Sequence, residues 1–188
     1  MRNRHVTFTV QAALIAALYV VLTFVANQFG LASHTIQVRL SEALCILPFF
    51  TPAAIPGLWI GCLLANLLTG AVVYDVIFGS LATLLGAVFT YMLRRHKLLC
   101  TLPPVIVNSL VVPVILIYGY GIPRIYFEGL DMTYLFNVLT VGAGEVISVC
   151  VLGTLLLNIL CRYRGVIFTE GDKAGANKPA GQPGGYNR

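Results

Sequence analysis

Charged residues are scarce in this sequence. Asp, Glu, Lys and Arg together make up only 10% of its 188 residues, whereas 58% of the residues are hydrophobic. A soluble domain of this size needs a more highly charged surface, so the composition excludes one and indicates an integral membrane protein. The hydrophobic runs are long and do not alternate with polar residues, which argues against a transmembrane β-barrel.

Motifs of enzyme chemistry are also lacking. The sequence contains no HExxH, no GxSxG, no P-loop and no aspartate-rich metal motif. Its five cysteines occur singly, without a CxxC pair or a histidine at ligand spacing, so we expect neither a disulfide nor a zinc site. We therefore expect no catalytic residues, no cofactor and no metal. Without a P-loop, active transport would depend on an ion gradient or on separate ATPase subunits.

Six hydrophobic segments are present instead. They cover residues 6–29, 40–50, 53–69, 76–93, 102–120 and 134–160. We predict an all-α integral membrane protein, with a compact bundle of six transmembrane helices in residues 1–168 and a disordered tail, rich in Gly, Pro and Lys, at 169–188. The first segment is too long for the hydrophobic region of a signal peptide, so we expect it to be retained.

The second segment is unusually short. About a dozen residues between Leu40 and Pro52 form roughly 18 Å of helix, against a hydrocarbon core of about 30 Å. The segment therefore either begins earlier, near Ile36, or forms a re-entrant helix paired with the third segment. Either arrangement leaves the later topology unchanged.

The basic residues beside these segments predict the orientation. With six spans, the clusters that follow or precede the first, fourth and sixth segments fall on one side of the membrane; they contain Arg2, Arg4, Arg94, Arg95, Lys97, Arg162 and Arg164. An excess of Lys and Arg marks the cytoplasmic side, so we expect both termini in the cytoplasm. The cations are not grouped with aromatic residues, so the net charge of +5 does not predict nucleic-acid binding.

Polar residues are concentrated in the opposite, outer half of the predicted bundle. They include Asn27, Gln37, Arg39, Glu42, Asn66, Tyr74, Asp75, Tyr118, Tyr120, Asn137 and, deeper, Glu145. An interfacial belt explains some Tyr and Asn residues, but it does not explain an excess on one side only. We therefore predict a polar cavity that is open to the outside and closed below.

Glu145 is the deepest of these residues, about eleven residues into the last segment. At helical spacing it shares a face with Asn137 and Ser148. Acids inside a membrane are usually functional, which favours contact with a ligand. The structural alternative is a protonated glutamate, or one paired with a neighbouring helix.

Three further charges each have a structural and a functional explanation. Arg39 and Glu42 are three residues apart, so they either contact a ligand or form an ion pair that anchors a helix at the interface. Asp75 begins the fourth segment, where it could cap the helix and also line the mouth of a site.

The first segment contains two overlapping pairs of small residues, Ala12/Ala16 and Ala13/Ala17. Small residues let helices pack closely where lipid provides no hydrophobic drive for association. Because these pairs lie toward the predicted cytoplasmic side, a partner protein could dock there.

Four stretches carry a family resemblance. They read QVRLSEAL (37–44), LPFFTPAAIPGL (47–58), GCLLANLL (61–68) and DVIFGSLATLLGA (75–87). These stretches resemble the QueT-type substrate-binding subunit of energy-coupling factor (ECF) transporters. The resemblance extends more loosely over residues 6–168.

The resemblance implies a six-helix receptor in a bacterial plasma membrane that captures a queuosine precursor, a 7-deazaguanine such as preQ0, preQ1 or queuine. It also implies two kinds of partner, the transmembrane coupling subunit EcfT and two cytoplasmic ATPases, with EcfT docking on the alanine pairs of the first helix. The outer loops and outer helix ends would form the substrate pocket.

The implied ligand suggests roles for the candidate residues. A carboxylate accepts both the ring N–H and the exocyclic amine of a guanine-like edge, which suits Glu145 or Glu42. An aminomethyl group on the base would add a cation for Asp75 or the other acid, and Tyr74, Tyr118 or Trp59 could stack on the ring. The residues expected to bind substrate are Glu145, Glu42, Arg39, Asp75, Asn137, Asn66, Gln37, Tyr74 and Tyr118.

Two alternatives stay open at this point. The same architecture could carry another vitamin-like substrate, because a fold does not determine its ligand. The chain could also be a stand-alone secondary transporter that uses an ion gradient. A membrane enzyme is a third reading, which the absence of catalytic motifs leaves without support.

Overall fold

The computed structural model of the protein describes residues 4–30 and 38–163. Within these ranges four helical segments are long and apolar enough to cross a membrane: Arg4–Gln28, Asp75–Met92, Leu99–Tyr118 and Thr133–Arg162. Two shorter apolar segments, Leu40–Phe49 and Ala54–Leu68, complete the helical part. The prediction of a mainly helical membrane protein is confirmed, whereas the six-span count and the orientation of the termini stay predictions.

The elements follow one another in a simple order. They are α1 (Arg4–Gln28), a 3₁₀ segment (Leu40–Phe49), α2 (Ala54–Leu68), a π-helical turn (Asp75–Gly79), α3 (Ser80–Met92), a 3₁₀ turn (Leu99–Thr101), α4 (Leu102–Tyr118), β1 (Tyr126–Phe127), β2 (Leu130–Asp131), α5 (Thr133–Glu145), a π-helical segment (Val146–Gly153) and α6 (Thr154–Arg162). The two strands form a small antiparallel hairpin between α4 and α5.

The Leu40–Phe49 segment lies in the interior of the bundle. Every residue from Ser41 to Pro48 is buried, and the segment packs against α1, α2, α3, α6 and the π-helical segment before α6. Ten residues at about 2.0 Å per residue make a 3₁₀ rod of about 20 Å, too short to span a bilayer. Irregular backbone at membrane depth is tolerated where protein surrounds it. The short second segment is therefore a central rod; a start near Ile36 would lie outside the described residues.

A close seam joins α1 to α2. A Cβ atom added to Gly57 would lie 2.7 Å from the main-chain oxygen of Ala12, and one added to Gly61 would lie 3.0 Å from Cα of Ala16. Ala12 and Ala16 thus contact the glycines of α2 inside the bundle. Ala13 and Ala17 lie on the exposed side of α1, among large apolar side chains that are also exposed, which include Val10, Leu14, Leu18 and Val21.

Candidate functional site

A cavity of about 490 Å³ lies at the end of the bundle where α1, α2 and α4 finish and the Asp75–Gly79 turn begins. Its volume falls within the range of about 300–1,000 Å³ that is typical of small-molecule sites. The polar side chains in its lining are Tyr19, Thr23, Asn27, Arg39, Ser41, Asn66, Thr69, Asp75 and Tyr120. Val112, Ile115, Leu116 and Ile122 supply an apolar part of the wall.

The cavity lies at the end of the bundle away from the basic clusters. The span Asp75–Met92 begins in the cavity wall, and Arg94, Arg95 and Lys97 follow its far end. The cavity therefore occupies the half of the bundle in which the sequence predicts an accumulation of polar residues.

Asp75 contacts three other polar residues of the cavity wall. Its Oδ2 lies 3.6 Å from Nη2 of Arg39 and accepts a hydrogen bond of 3.3 Å from the hydroxyl of Tyr120. The side-chain amide of Asn66 donates to the main-chain oxygen of Asp75 at 3.0 Å. The structure thus brings together three residues predicted for the site, Arg39, Asn66 and Asp75, from three separate parts of the chain.

The structural roles that the sequence suggests for Asp75 and Arg39, a helix cap and an ion pair with Glu42, are not observed among the described residues. Asp75 does not cap a helix, because Tyr74 occupies the N-cap position of the turn and the turn has no side-chain cap hydrogen bond. Arg39 forms its ion pair with Asp75, while Glu42, three residues from Arg39, bonds to other side chains.

Two buried polar atoms of the cavity have no hydrogen-bond partner among the described residues. They are Oδ1 of Asp75, a residue only 4% exposed, and Oγ of Ser41. A buried acceptor without a partner costs about 1–3 kcal/mol, so Asp75 and Ser41 are polar residues of the cavity lining that the surrounding protein satisfies only in part.

The π-helical turn holds the Asp75 carboxylate in place. A Cβ atom added to Gly79 would overlap Oδ1 of Asp75, so glycine at this position leaves the space that the carboxylate occupies. Short π-helical turns occur often at functional sites.

Glu42 and Glu145 form a second polar group, adjacent to the cavity but outside its lining. Glu42 accepts hydrogen bonds from the hydroxyl of Tyr19 at 2.5 Å, from Sγ of Cys45 at 2.9 Å and from the amide of Asn108 at 3.4 Å. The same amide nitrogen donates to Oε1 of Glu145 at 3.1 Å. Glu42 is 1% and Glu145 5% exposed. Because Tyr19 also lines the cavity, the pair lies one hydrogen bond behind the cavity wall.

The remaining predicted site residues lie elsewhere. Asn137 is buried and donates to the main-chain oxygen of Thr133 in its own helix. Tyr74 and Tyr118, 56% and 75% exposed, line an outer apolar groove of about 430 Å³ together with Phe78. Gln37 lies outside the described residues.

Six polar residues of the cavity lining are not among the predicted site residues, namely Tyr19, Thr23, Asn27, Ser41, Thr69 and Tyr120. Tyr19 looks like one more apolar position of α1, and Ser41 like a small polar residue at a helix start. Tyr120 has the same interfacial position as Tyr118, and only the direction of the loop after α4 separates them. The QVRLSEAL stretch, which contains Ser41, was the signal that could have included it.

The loop between α4 and α5 contains Tyr120, which lines the cavity. Polar contacts fix the far end of this loop, next to α5. Arg124 and Asp131 form an ion pair of 2.5 Å, and Asp131 also accepts hydrogen bonds from the hydroxyl and main-chain N–H of Thr133 at 2.6 and 3.0 Å. The bonds from Thr133, followed by that from Arg124, lower the pKa of Asp131 from its ordinary 3.8 to about 2. The carboxylate therefore stays ionised and keeps the loop attached to the start of α5.

Comparison with known proteins places this bundle in a family. The model of the QueT transporter family matches residues 9–162. A relative from Lactococcus lactis subsp. cremoris (strain MG1363), described as "Queuosine precursor transporter QueT", is 41% identical over 75 residues. That alignment covers 40% of this chain and 44% of the relative, so the chain matches less than half of the relative's length. No solved structure matches. The family match covers most of the chain, including the last three candidate spans completely and the first from residue 9, so the chain belongs to the QueT transporter family.

Proposed function

We propose that this chain is the substrate-binding membrane subunit of an importer and that it captures a queuosine precursor, a 7-deazaguanine, in the cavity beside Asp75. The observation that carries the proposal is a cavity of suitable size, lined by charged and polar side chains that include Arg39, Asn66 and Asp75, within a bundle of a transporter family. The name of the Lactococcus relative supports this choice of substrate.

The proposed orientation places the cavity toward the outside of a bacterial cell. Arg4, the cluster after α3 and Arg162 flank the opposite end of the bundle. An excess of basic residues marks the cytoplasmic side, so both termini would be cytoplasmic. The 3₁₀ segment and α2 would complete a six-segment bundle in the plasma membrane.

The cavity offers complementary partners for a guanine-like edge. Arg39 would donate to the carbonyl oxygen of the base, and Asp75 would accept from its N–H groups. Tyr19 and Tyr120, which line the cavity, would contact the ring face. This role replaces the stacking expected of Tyr74 and Tyr118, whose rings lie in the outer groove.

Coupling to EcfT and two ATPases would use the free side of α1. Ala12 and Ala16 are occupied by the seam with α2, which leaves Ala13 and Ala17 for a partner helix. Small exposed residues permit the close approach that helix association in lipid requires.

Binding to the purified protein tests the substrate. Isothermal titration with 7-deazaguanine should give saturable binding, and Tyr120→Ala should weaken it about tenfold, within the range for loss of one base–aromatic stack. Tyr118→Ala is the matched control, because it removes the same side chain two residues away in the outer groove and should leave the affinity unchanged. Absence of binding to any 7-deazaguanine would contradict the proposal.

The Glu42–Glu145 pair favours a second candidate, a stand-alone secondary transporter driven by protons. Two carboxylates joined by one amide at membrane depth are the kind of group that proton-coupled carriers use. Proteoliposomes that contain this chain alone distinguish the two. Uptake that follows an imposed pH gradient and disappears in Glu145→Gln would support the carrier, whereas uptake that requires ATPase partners would support the receptor.

A further inference from the structure

We infer that the hairpin of β1 and β2 contacts the lipid surface at the end of the bundle that holds the cavity, with Phe127 and Leu130 turned toward the lipid. The inference does not depend on the proposed substrate, because it needs only that the neighbouring helices cross a membrane. Three observations carry it: the exposure of these two apolar side chains, the face that they share, and the short connection of the hairpin to α5.

The hairpin exposes large apolar side chains. Tyr126, Phe127 and Leu130 are 63%, 67% and 66% exposed. Large apolar side chains grouped on a protein surface mark contact with another protein or with a membrane. Aromatic residues in particular are enriched at the level of the lipid headgroups. The composition of the hairpin therefore suits the boundary between lipid and water.

The strand register separates an apolar face from a polar one. Phe127 pairs with Leu130, and Tyr126 pairs with Asp131. Paired residues of an antiparallel ladder share a face, whereas consecutive residues of a strand lie on opposite faces. Phe127 and Leu130 thus form one face, and the other contains Asp131 in its ion pair with Arg124. An amphipathic hairpin of this kind gains most when its apolar face meets lipid and its polar face meets water.

The turn keeps the two faces distinct. Glu128 and Gly129 have φ values of +50° and +83°, and a two-residue turn of type I′ requires a positive φ at both central positions. The turn type determines the register of a hairpin, and a slip of one residue would exchange the faces. The apolar face is therefore a fixed feature of the hairpin.

The hairpin is held close to the outer end of the last span. Leu130 lies three residues before Thr133, where that span begins, so their Cα atoms are at most about 11 Å apart. The main-chain N–H of Ile125 donates to Oγ1 of Thr133 at 2.8 Å, and that of Met132 donates to the main-chain oxygen of Ile125 at 2.9 Å. The headgroup layer of one leaflet is about 5–8 Å thick. These connections keep the apolar face within reach of the headgroups.

Charge does not favour this contact, so apolar burial must supply it. Arg124, Glu128 and Asp131 give the hairpin region one more acid than base. Salt screens attraction between exposed charges, whereas burial of apolar surface in lipid does not depend on such attraction. We therefore expect contact with a zwitterionic lipid, unchanged between low and high salt.

Tryptophan fluorescence tests which face meets lipid. The full chain, with Trp59→Phe to remove its single tryptophan, is reconstituted in phosphatidylcholine vesicles as Phe127→Trp and, as the matched control, as Tyr126→Trp. Phosphatidylcholine brominated on the acyl chains close to the headgroup should quench most of the emission of the Phe127→Trp variant, and aqueous acrylamide should quench little of it. The Tyr126→Trp variant should show the reverse, at low and high salt alike.

Four results would overturn the inference. Quenching of the Phe127→Trp variant by acrylamide but not by brominated lipid would place this face in water or against a protein partner. Protection that arises only after 7-deazaguanine is added would make the hairpin a cover for the cavity. Equal quenching of both variants by lipid would refute the assignment of one face, and loss of protection at high salt would refute an apolar contact. Should Trp59→Phe not fold, each variant is measured with Trp59 retained and compared with wild type.

Discussion

Replacement of Gly61 by alanine is the most direct test of the seam between α1 and α2. The added Cβ would lie 2.8 Å from Cβ of Tyr19 and 3.0 and 3.1 Å from Cα and the main-chain oxygen of Ala16. None of these atoms belongs to the flexible end of a side chain, so the contacts can relax only if the two helices move apart.

The expected change in stability is opposite in sign to the change that helix propensity alone predicts. In an exposed helix Gly→Ala is stabilising by about 1 kcal/mol. Overpacking of a tight contact costs about 1–3 kcal/mol, and here one methyl group meets three fixed atoms. Three fixed neighbours place the cost in the upper part of that range, about 2–3 kcal/mol, so after the gain in propensity is subtracted we expect Gly61→Ala to lower the free energy of unfolding by about 1–2 kcal/mol. Because Tyr19 lines the cavity, ligand affinity should fall as well.

Unfolding in mild detergent, followed by circular dichroism with increasing denaturant, measures this change, and calorimetric titration of the same samples measures affinity. Ala13→Leu is the control, since it adds a larger side chain to the exposed side of α1 and should change the stability by less than about 0.5 kcal/mol. A Gly61→Ala protein as stable as wild type, or more stable, would refute the argument that this seam limits the approach of the helices.

Three further substitutions test the site, the partner face and the outer loop. Gly79→Ala should displace the Asp75 carboxylate and weaken ligand binding about tenfold in titration, without loss of helicity by circular dichroism. If the chain couples to EcfT as proposed, leucine at both Ala13 and Ala17 should preserve ligand binding but prevent copurification with EcfT; copurification at wild-type levels would contradict docking on this side of α1. Asp131 has a lowered pKa, so its stabilising effect is present above about pH 4 and is lost as the pH falls toward about 2. Thermal unfolding of wild type should show this loss, whereas Asp131→Asn should show no decline from this group over the same interval.

The sequence predicts the helical segments well but not the conformation of the second one. Hydrophobic runs determine where a segment begins and ends, and the predicted runs agree with the observed helices to within a few residues. The shortness of Leu40–Phe49 was visible as a count of residues. Its conversion to a buried 3₁₀ rod depends on the surrounding helices, which a count of residues does not include.

The sequence predicts some residues of the candidate site and misses others, and the reason differs from residue to residue. Arg39, Asn66 and Asp75 are polar residues among apolar runs, so composition alone singles them out. Tyr118 and Tyr120 look equivalent in the sequence, yet one ring lies in the outer groove and the other lines the cavity. The two alanine pairs of α1 are equally ambiguous, because a shift of one residue exchanges the packed side of a helix for the exposed one.

The three buried acids differ in whether they line the cavity and in how far the surrounding protein satisfies them. Glu145 is the deepest acid of the sequence, and its Oε2 has no partner among the described residues, but it does not line the cavity. Glu42 has three donors and is satisfied within the protein. Asp75 alone among the three buried acids lines the cavity, and its buried Oδ1 has no hydrogen-bond partner among the described residues. A polar group satisfied by its neighbours stabilises the bundle, so we expect Asp75, which lines the cavity, to be a better candidate for ligand contact than Glu42 or Glu145.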